Sequence, residues 1–256
     1  MIASRRLKKG RDRLESLGPY LKEMEILMQK LSRGMGEEHP LFRSGNSNKA
    51  ALLLISSQRG LCGGHNSRLF KYTRRLLEEH RNRKWIPLVV GKQGVDFFKH
   101  RGLKPLYQWI EVETIPGPGL AGEISDGLLR LFRQQGLQEV KVLYSSFITV
   151  FKQQVKVLRL LPLHRSEGGS EPLFEPGPVR LFASFLPDYL SLRLQGLLLE
   201  SRVSESAARM MAMEAATENA GQLLEELEGE LNRLRQREIT AEIAEIMGGA
   251  EALRAW

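Results

Sequence analysis

The stretch "LLLISSQRGLCGGHNSRLF" (Leu52–Phe70) begins as an apolar run, passes through a glycine-rich turn and ends in a helix-prone segment. A short apolar run, punctuated by glycine and followed by helical periodicity, reads as a strand feeding a helix. The pattern recurs along the chain. Ala50–Ser56 leads into Ser67–Arg81, Ile86–Val90 into Gln93–Arg101, and Leu106–Val112 into Gly122–Gln135, before Glu139–Tyr144. Such alternation implies a parallel sheet covered by helices. Residues 147–161, "FITVFKQQVKVLRLL", alternate in part and read as a strand or hairpin at an edge. Pro162–Pro178, rich in Gly, Pro, Ser and Glu, reads as a connecting loop.

The two ends of the 256-residue chain follow another period. Leu7, Leu14, Leu17, Leu21, Met24, Met28 and Leu31 are spaced by threes and fours, with one member missing between Leu7 and Leu14. That is a heptad seam, which Gly18-Pro19 is expected to kink or restart. The other end runs Val203, Ala207, Met210, Met213, Thr217, Ala220, Leu224, Leu227, Leu231, Leu234, then Ile239, Ile243, Ile246, Ala250, Leu253. No proline follows Asp188. The remaining residues, about 65, would form a helix roughly 100 Å long at 1.5 Å per residue. Shorter helices broken at Gly221, Gly229 or Gly248-Gly249 are the competing reading.

Charge supports a pairing of the ends. Residues 1–35 hold nine Lys/Arg against four Asp/Glu, whereas residues 200–256 hold six Arg against twelve Glu. A net +5 segment and a net −6 segment attract one another. The formal charge of +8 otherwise suggests nucleic acid, but the sequence lacks an unopposed basic face with interleaved aromatics. The expected architecture is therefore a long antiparallel coiled coil with a Rossmann-like α/β domain inserted in it. Residues 1–35 and 179–256 supply the coil, and residues 36–178 the domain.

No chemistry-bearing constellation emerges. At Gly60-Leu61-Cys62-Gly63-Gly64 a phosphate loop would need a Lys where His65 stands; the dinucleotide fingerprint G-x-G-x-x-G is read as absent too, and Val112 to Gly119 offers no acidic residue suited to a ribose. "GKQGVDFF" (Gly91–Phe98) follows a strand but lacks both an upstream glycine and a hydroxyl residue. Five histidines are scattered without metal-ligand spacing, and Ser56 and Ser57 have no nucleophile-elbow setting. Cys62, the single cysteine, excludes an internal disulfide, suits a reducing compartment and reads as a buried structural thiol. No apolar run approaches the roughly 20 residues that span a bilayer. Catalytic residues, metal ligands and cofactors are all expected to be absent.

"SSQRGLCGGHNSRLF" resembles the signature turn of the γ subunit of F-type ATP synthases. Ser204–Leu253 is similar to that family's C-terminal helix almost throughout, most specifically at Arg209-Met210 and from Asn232 to Ala250. "GKQGVDFF", "LLPL" and "LFEPGP" fall in the family's order as well. The resemblance implies a rotor. Its coiled coil would stand in the hexameric ring of α and β subunits, and its α/β domain, with the ε subunit, on the c-ring. Ion flow would turn the shaft and drive the catalytic β sites through states of different nucleotide affinity. The chain itself would be non-catalytic, without direct bilayer insertion, and peripheral on the cytoplasmic face of a bacterial-type plasma membrane.

The resemblance also implies residue roles. Arg209, Arg235, Gln236, Thr240 and Glu242 match positions that meet the β subunits' acidic loops. Gly60, Gly63 and Gly64 would be structural, letting backbone pass closely between strand and helix. Three departures stand out. Gln58 replaces an Asp, His65 replaces an apolar residue, and Met1 aligns inside the family's first helix, so about 25 family residues, close to 40 Å of helix, are expected to be missing. The upper part of the C-terminal helix would then expose Ile239, Ile243 and Ile246. Two other functions remain open on sequence: an α/β enzyme binding nucleotide at Gly60–Gly64, and a nucleic-acid-binding coiled-coil protein.

Overall fold

The computed structural model describes residues 2–35, 39–110, 115–165, 174–175 and 177–254. Within the opening stretch, Leu52 and Leu54 pack into one apolar cluster and Leu53 and Ile55 into another, all almost fully buried. A strand buried on both faces must be central in its sheet, with helices on either side. Strand β1 (Lys49–Ile55) is so placed, in the order β3-β2-β1-β4-β5, with β2 Lys84–Val90, β3 Tyr107–Trp109, β4 Glu139–Phe147 and β5 Gln153–Leu161. The first four pair in parallel. β5 returns antiparallel on β4, forming the edge hairpin that residues 147–161 suggested. β3 is only three residues long, and residues 111–112 of its expected span lie outside the described residues. The same holds for most of the Pro162–Pro178 loop.

Helices α2 (His65–Glu79) and α3 (Lys92–Lys99) cover one face through Leu69, Leu76, Val95 and Phe98. On the other face lie α4 (Pro118–Gln135), with Ile124 and Leu128, and the first part of α5 (Pro178–Arg254), with Phe182, Leu186, Leu190 and Leu194. The expected helix starts at Ser67, Gln93 and Gly122 thus move one to four residues toward the N-terminus.

A close backbone approach with a left-handed φ occurs at Gly91, between β2 and α3. Its φ is +95°, and a Cβ there would sit 2.4 Å from the Ser56 carbonyl oxygen and 2.8 Å from that of Ser57. Neither backbone oxygen can retreat, because both belong to the crossing-over end of β1. Gly91→Ala is expected to cost at least ~2 kcal/mol, combining a strained φ with a backbone clash. A chemical-denaturation midpoint unchanged from wild type would refute this.

Two compact units make up the chain, Met1–Met211 and Ala212–Trp256. In the first, α1 (Ile2–Arg33) packs on α5 in antiparallel order. Gly34 abuts Pro178, Glu25 pairs with Arg193 at 2.7 Å, Gly196 meets Leu21, and Gly10 meets Val203. The seam residues are the buried or half-buried ones of α1, as heptad spacing requires. Gly10 is the seam's missing member. It is buried, and a Cβ on it would stand 3.0 Å from Val203 Cγ2, so a small residue lets the helices close.

The expected break at Gly18-Pro19 is not present: α1 is continuous through Pro19. α5 likewise begins ahead of Asp188 and runs through Pro187. Both prolines sit on exposed positions, where the lost N–H bond leaves its carbonyl open to solvent and the seam on the opposite side is undisturbed. The competing breaks at Gly221, Gly229 and Gly248-Gly249 are absent too.

The second unit is the remainder of that helix. Leu224, Leu227, Leu231 and Leu234 keep the heptad period, which resumes at Ile239, Ile243 and Ile246 after a five-residue step, and all are 51–71% exposed. The described part of this unit is thus a helix carrying two apolar stripes at its surface, offset from one another at that step.

Candidate functional site

The glycine-rich turn and α5 meet within the first unit. β1 ends at Ile55, and the next polar residues satisfy one another. Asn66 Oδ1 accepts from the Ser57 amide at 3.2 Å, and Asn66 Nδ2 donates to Ser57 Oγ at 2.6 Å. Ser57 Oγ donates to the Arg59 carbonyl at 2.8 Å. Asn66 Nδ2 also donates to the buried Cys62 Sγ at 3.4 Å. Gln58 Oε1 accepts from the Lys92 amide at 3.2 Å, so the residue that replaces an Asp ties the turn to α3. Ser57 and Asn66 thus bond within the turn rather than outward.

The glycines of this turn correct one expectation. Gly63 has φ +53°, which glycine adopts at little cost. Around Gly60 and Gly64, however, a Cβ would find nothing within 4 Å. The close backbone approach expected there occurs at Gly91 instead. The turn is an exposed projection rather than a crossing point, so nothing crowds it.

The expected absence of a G-x-G-x-x-G spacing is corrected: Gly117-Pro118-Gly119-Leu120-Ala121-Gly122 has it. It opens α4 after the three-residue edge strand. Gly119 has open space around it and Gly122 approaches only Ser191 Oγ, at 3.7 Å, so these glycines lack the tight packing of that fingerprint.

Arg209 reaches this turn from α5. Its Nη2 donates to Glu205 Oε1 at 2.8 Å and to the carbonyls of Arg59 and Gly60 at 3.3 and 3.4 Å. Glu205, 5% exposed, also accepts from Arg202 Nη1 at 2.6 Å through its other oxygen. One buried carboxylate is thus flanked by two guanidinium groups, a charge-assisted arrangement. Beside them lies His65, 1% exposed, with neither ring nitrogen hydrogen-bonded among the described residues. Burial pushes its pKa down to about 4. Glu205 opposes that shift, while Arg68, Arg209 and Arg202 add to it. The seat is thus buried but bordered by charged groups, and it offers the imidazole no hydrogen-bond partner among the described residues. Ser204 Oγ and Ser145 Oγ, 2.7 Å apart, tie the same turn of α5 to β4.

The sequence-predicted contact residues therefore separate. Arg209 is brought together with Gly60 in the first unit. Arg235, Gln236, Thr240 and Glu242 lie exposed on the second-unit helix. Arg235 and Glu242, seven apart, share one stripe, as do Gln236 and Thr240, four apart. Thr240 Oγ1 donates to the Gln236 carbonyl at 2.7 Å. Glu205, Arg202 and His65 were missed as a cluster. Their helical spacing (202, 205, 209) was visible, but the partner turn lies 150 positions away in sequence. Among the described residues, no group of three or more His, Cys, Asp or Glu could hold a metal ion, and no helix is long and apolar enough to cross a membrane.

The chain is defined by a five-stranded α/β sheet with long N- and C-terminal helices that pack on one another within the first unit. A family model described as ATP synthase matches residues 1–253. The ATP synthase γ chain of Halothermothrix orenii is 36% identical over 264 residues, spanning 99% of this chain and 91% of that protein. That of Thermobifida fusca is 33% identical, spanning 100% and 90%. The chain belongs to the ATP synthase γ chain family, the non-catalytic central-stalk component of that complex. The fold agrees with the central stalk in the mitochondrial ATP synthase of Tetrahymena thermophila (TM-score 0.58, 22% identity, 85% of this chain and 100% of that one). It also agrees with the Euglena gracilis rotor (TM-score 0.60, 15% identity, 91% and 98%).

Proposed function

We propose that the chain is the rotating shaft that couples ion flow through a c-ring to conformational change at β-subunit catalytic sites, in synthesis or hydrolysis of ATP. Residues 1–35 and 179–256 form its coil and residues 36–178 its α/β domain. Its partners are the ring of α and β subunits, the ε subunit and the c-ring. Its place is peripheral, at the cytoplasmic face of a bacterial-type plasma membrane. Arg209, Arg235, Gln236, Thr240 and Glu242 contribute the β contacts, while Gly60, Gly63 and Gly64 shape the turn. The observation that carries this reading is the helix of the second unit, whose polar and apolar stripes are both exposed over its described length. A surface of that kind suits a shaft gripped at several weak points.

Co-expression with α and β subunits, followed by size exclusion and an ATPase assay, tests it. Co-elution at less than one chain per β, with an altered hydrolysis rate, supports the reading, and elution apart from the ring overturns it. The rival functions predict otherwise: saturable nucleotide binding by the isolated chain, or steeply salt-dependent binding to DNA or RNA. Because exposed ion pairs contribute about 0–1 kcal/mol each, Arg235→Glu is expected to lower ion pumping per ATP hydrolysed by only a few-fold. Unchanged coupling in that variant would remove Arg235 from the contact set.

A further inference from the structure

Leu61 is the non-glycine residue with positive φ among the described residues, at +60°, and its side chain is 75% exposed. The left-handed region is unfavourable for a residue with a branched apolar side chain, and such a conformation persists only where the surroundings over-determine it. Here they do. On its C-terminal side Cys62 is buried and Gly63 is left-handed. On its N-terminal side the Arg59 carbonyl accepts from both Ser57 Oγ and Arg209 Nη2, and the Gly60 carbonyl accepts from Arg209 as well. Arg209 is in turn fixed by Glu205, which Arg202 holds from the other side. A chain of charge-assisted bonds thus runs from the interior of α5 to the two peptide groups that precede the strained residue.

We infer that Arg209 is a positioning residue. It clamps the Arg59 and Gly60 carbonyls so that Leu61 is held left-handed with its side chain outward, as an apolar tip presented to the subunit surrounding the shaft. This rests on the shaft reading above, and it changes the role of Arg209 from a direct handle to a support acting through the turn. Arg209 is only 19% exposed and its Nη2 is committed to Glu205 and the two carbonyls, whereas Leu61, 75% exposed, has no packing role that would explain its conformation.

Two measurements separate these roles. Exchange of the Ser57 and His65 amides, which bond Asn66 Oδ1 and the Cys62 carbonyl at the two ends of the turn, is expected to rise about fivefold in Arg209→Gln of the full isolated chain, the size of one modest hydrogen bond lost. Glu205 keeps Arg202 in that variant, so global unfolding moves much less. Adding Leu61→Asn, which tolerates the left-handed region, should restore protection, while adding Leu61→Ala should not. Exchange unchanged in Arg209→Gln, or equal rescue by Asn and Ala, overturns the clamp.

In the assembled complex, Leu61→Asn alone keeps the turn ordered but removes the apolar tip. It should lower pumping per ATP about as much as Arg209→Gln, with the double variant no worse than either. Additive losses would return Arg209 to direct contact. If the chain does not join the ring at all, the shaft reading fails, yet the exchange result still decides the clamp.

Discussion

Replacing Glu205 by alanine is expected to lower the stability of the first unit by about 3 kcal/mol or more. Glu205 is nearly buried and its two oxygens serve two different guanidinium groups, Arg202 at 2.6 Å and Arg209 at 2.8 Å. Truncation leaves both cations facing one another beside His65, in a place where Arg202 Nη2 already has no hydrogen-bond partner among the described residues. Breaking a buried pair from one side costs about 3–5 kcal/mol because the remaining charge stays desolvated. The Arg side chains, 14% and 19% exposed, recover some hydration, which sets the expectation at the lower end of that range. Equilibrium denaturation followed at Trp85 and Trp109, both inside this unit, measures it. Gln at the same position keeps the shape but not the charge and should recover less than half of the loss. A loss below about 1 kcal/mol for the alanine variant would show the cluster to be a surface network in energetic terms.

Acidification gives the second large effect. An unfolded histidine titrates near 6.5, whereas His65 in the fold titrates at about 4 because burial disfavours its cation. Between these values the unfolded chain binds more protons than the native one, so stability rises with pH across the window and falls as pH drops from about 6.5 to about 4. Below about 4 both states are protonated and this group adds no further slope. The whole window corresponds to about 3 kcal/mol at 1.36 kcal/mol per pH unit. His65→Leu, which has nothing to titrate, should flatten the profile between pH 6.5 and 4 relative to wild type. Parallel profiles for the two proteins would mean that His65 takes up its proton without cost in the fold.

These two effects differ in how visible they were beforehand. His65 stood out as a departure from the resemblance, which expects an apolar residue there, but its burial beside charged groups is a finding of the structure. The Glu205 cluster did not stand out. Charges at 202, 205 and 209 on a helix look like any solvated face until something packs over them, and what packs there is a turn from the first quarter of the chain. The same gap explains the glycines. Gly60 and Gly64 were expected to allow a close crossing, but crowding is a property of neighbouring segments, and it falls on Gly91. Gly10, by contrast, could have been located, because the heptad spacing of Leu7 and Leu14 leaves a single place for the missing seam residue.

The amino-acid sequence by itself determined the alternation of strands and helices, the heptad stripes at both ends and their opposite charges. It also carried the γ-chain resemblance that the comparisons bear out. Each of these is written in local periodicity, set by backbone geometry and by which face of an element must leave water. Tertiary structure alone decided that the close backbone approach falls on Gly91 rather than on Gly60 and Gly64, that both helices run on through Pro19 and Pro187, and that Arg209 Nη2 serves Glu205 and the carbonyls of Arg59 and Gly60. Those outcomes depend on which distant segments come to share a surface. A charge or a glycine acquires its role only when burial removes the water that would otherwise satisfy it.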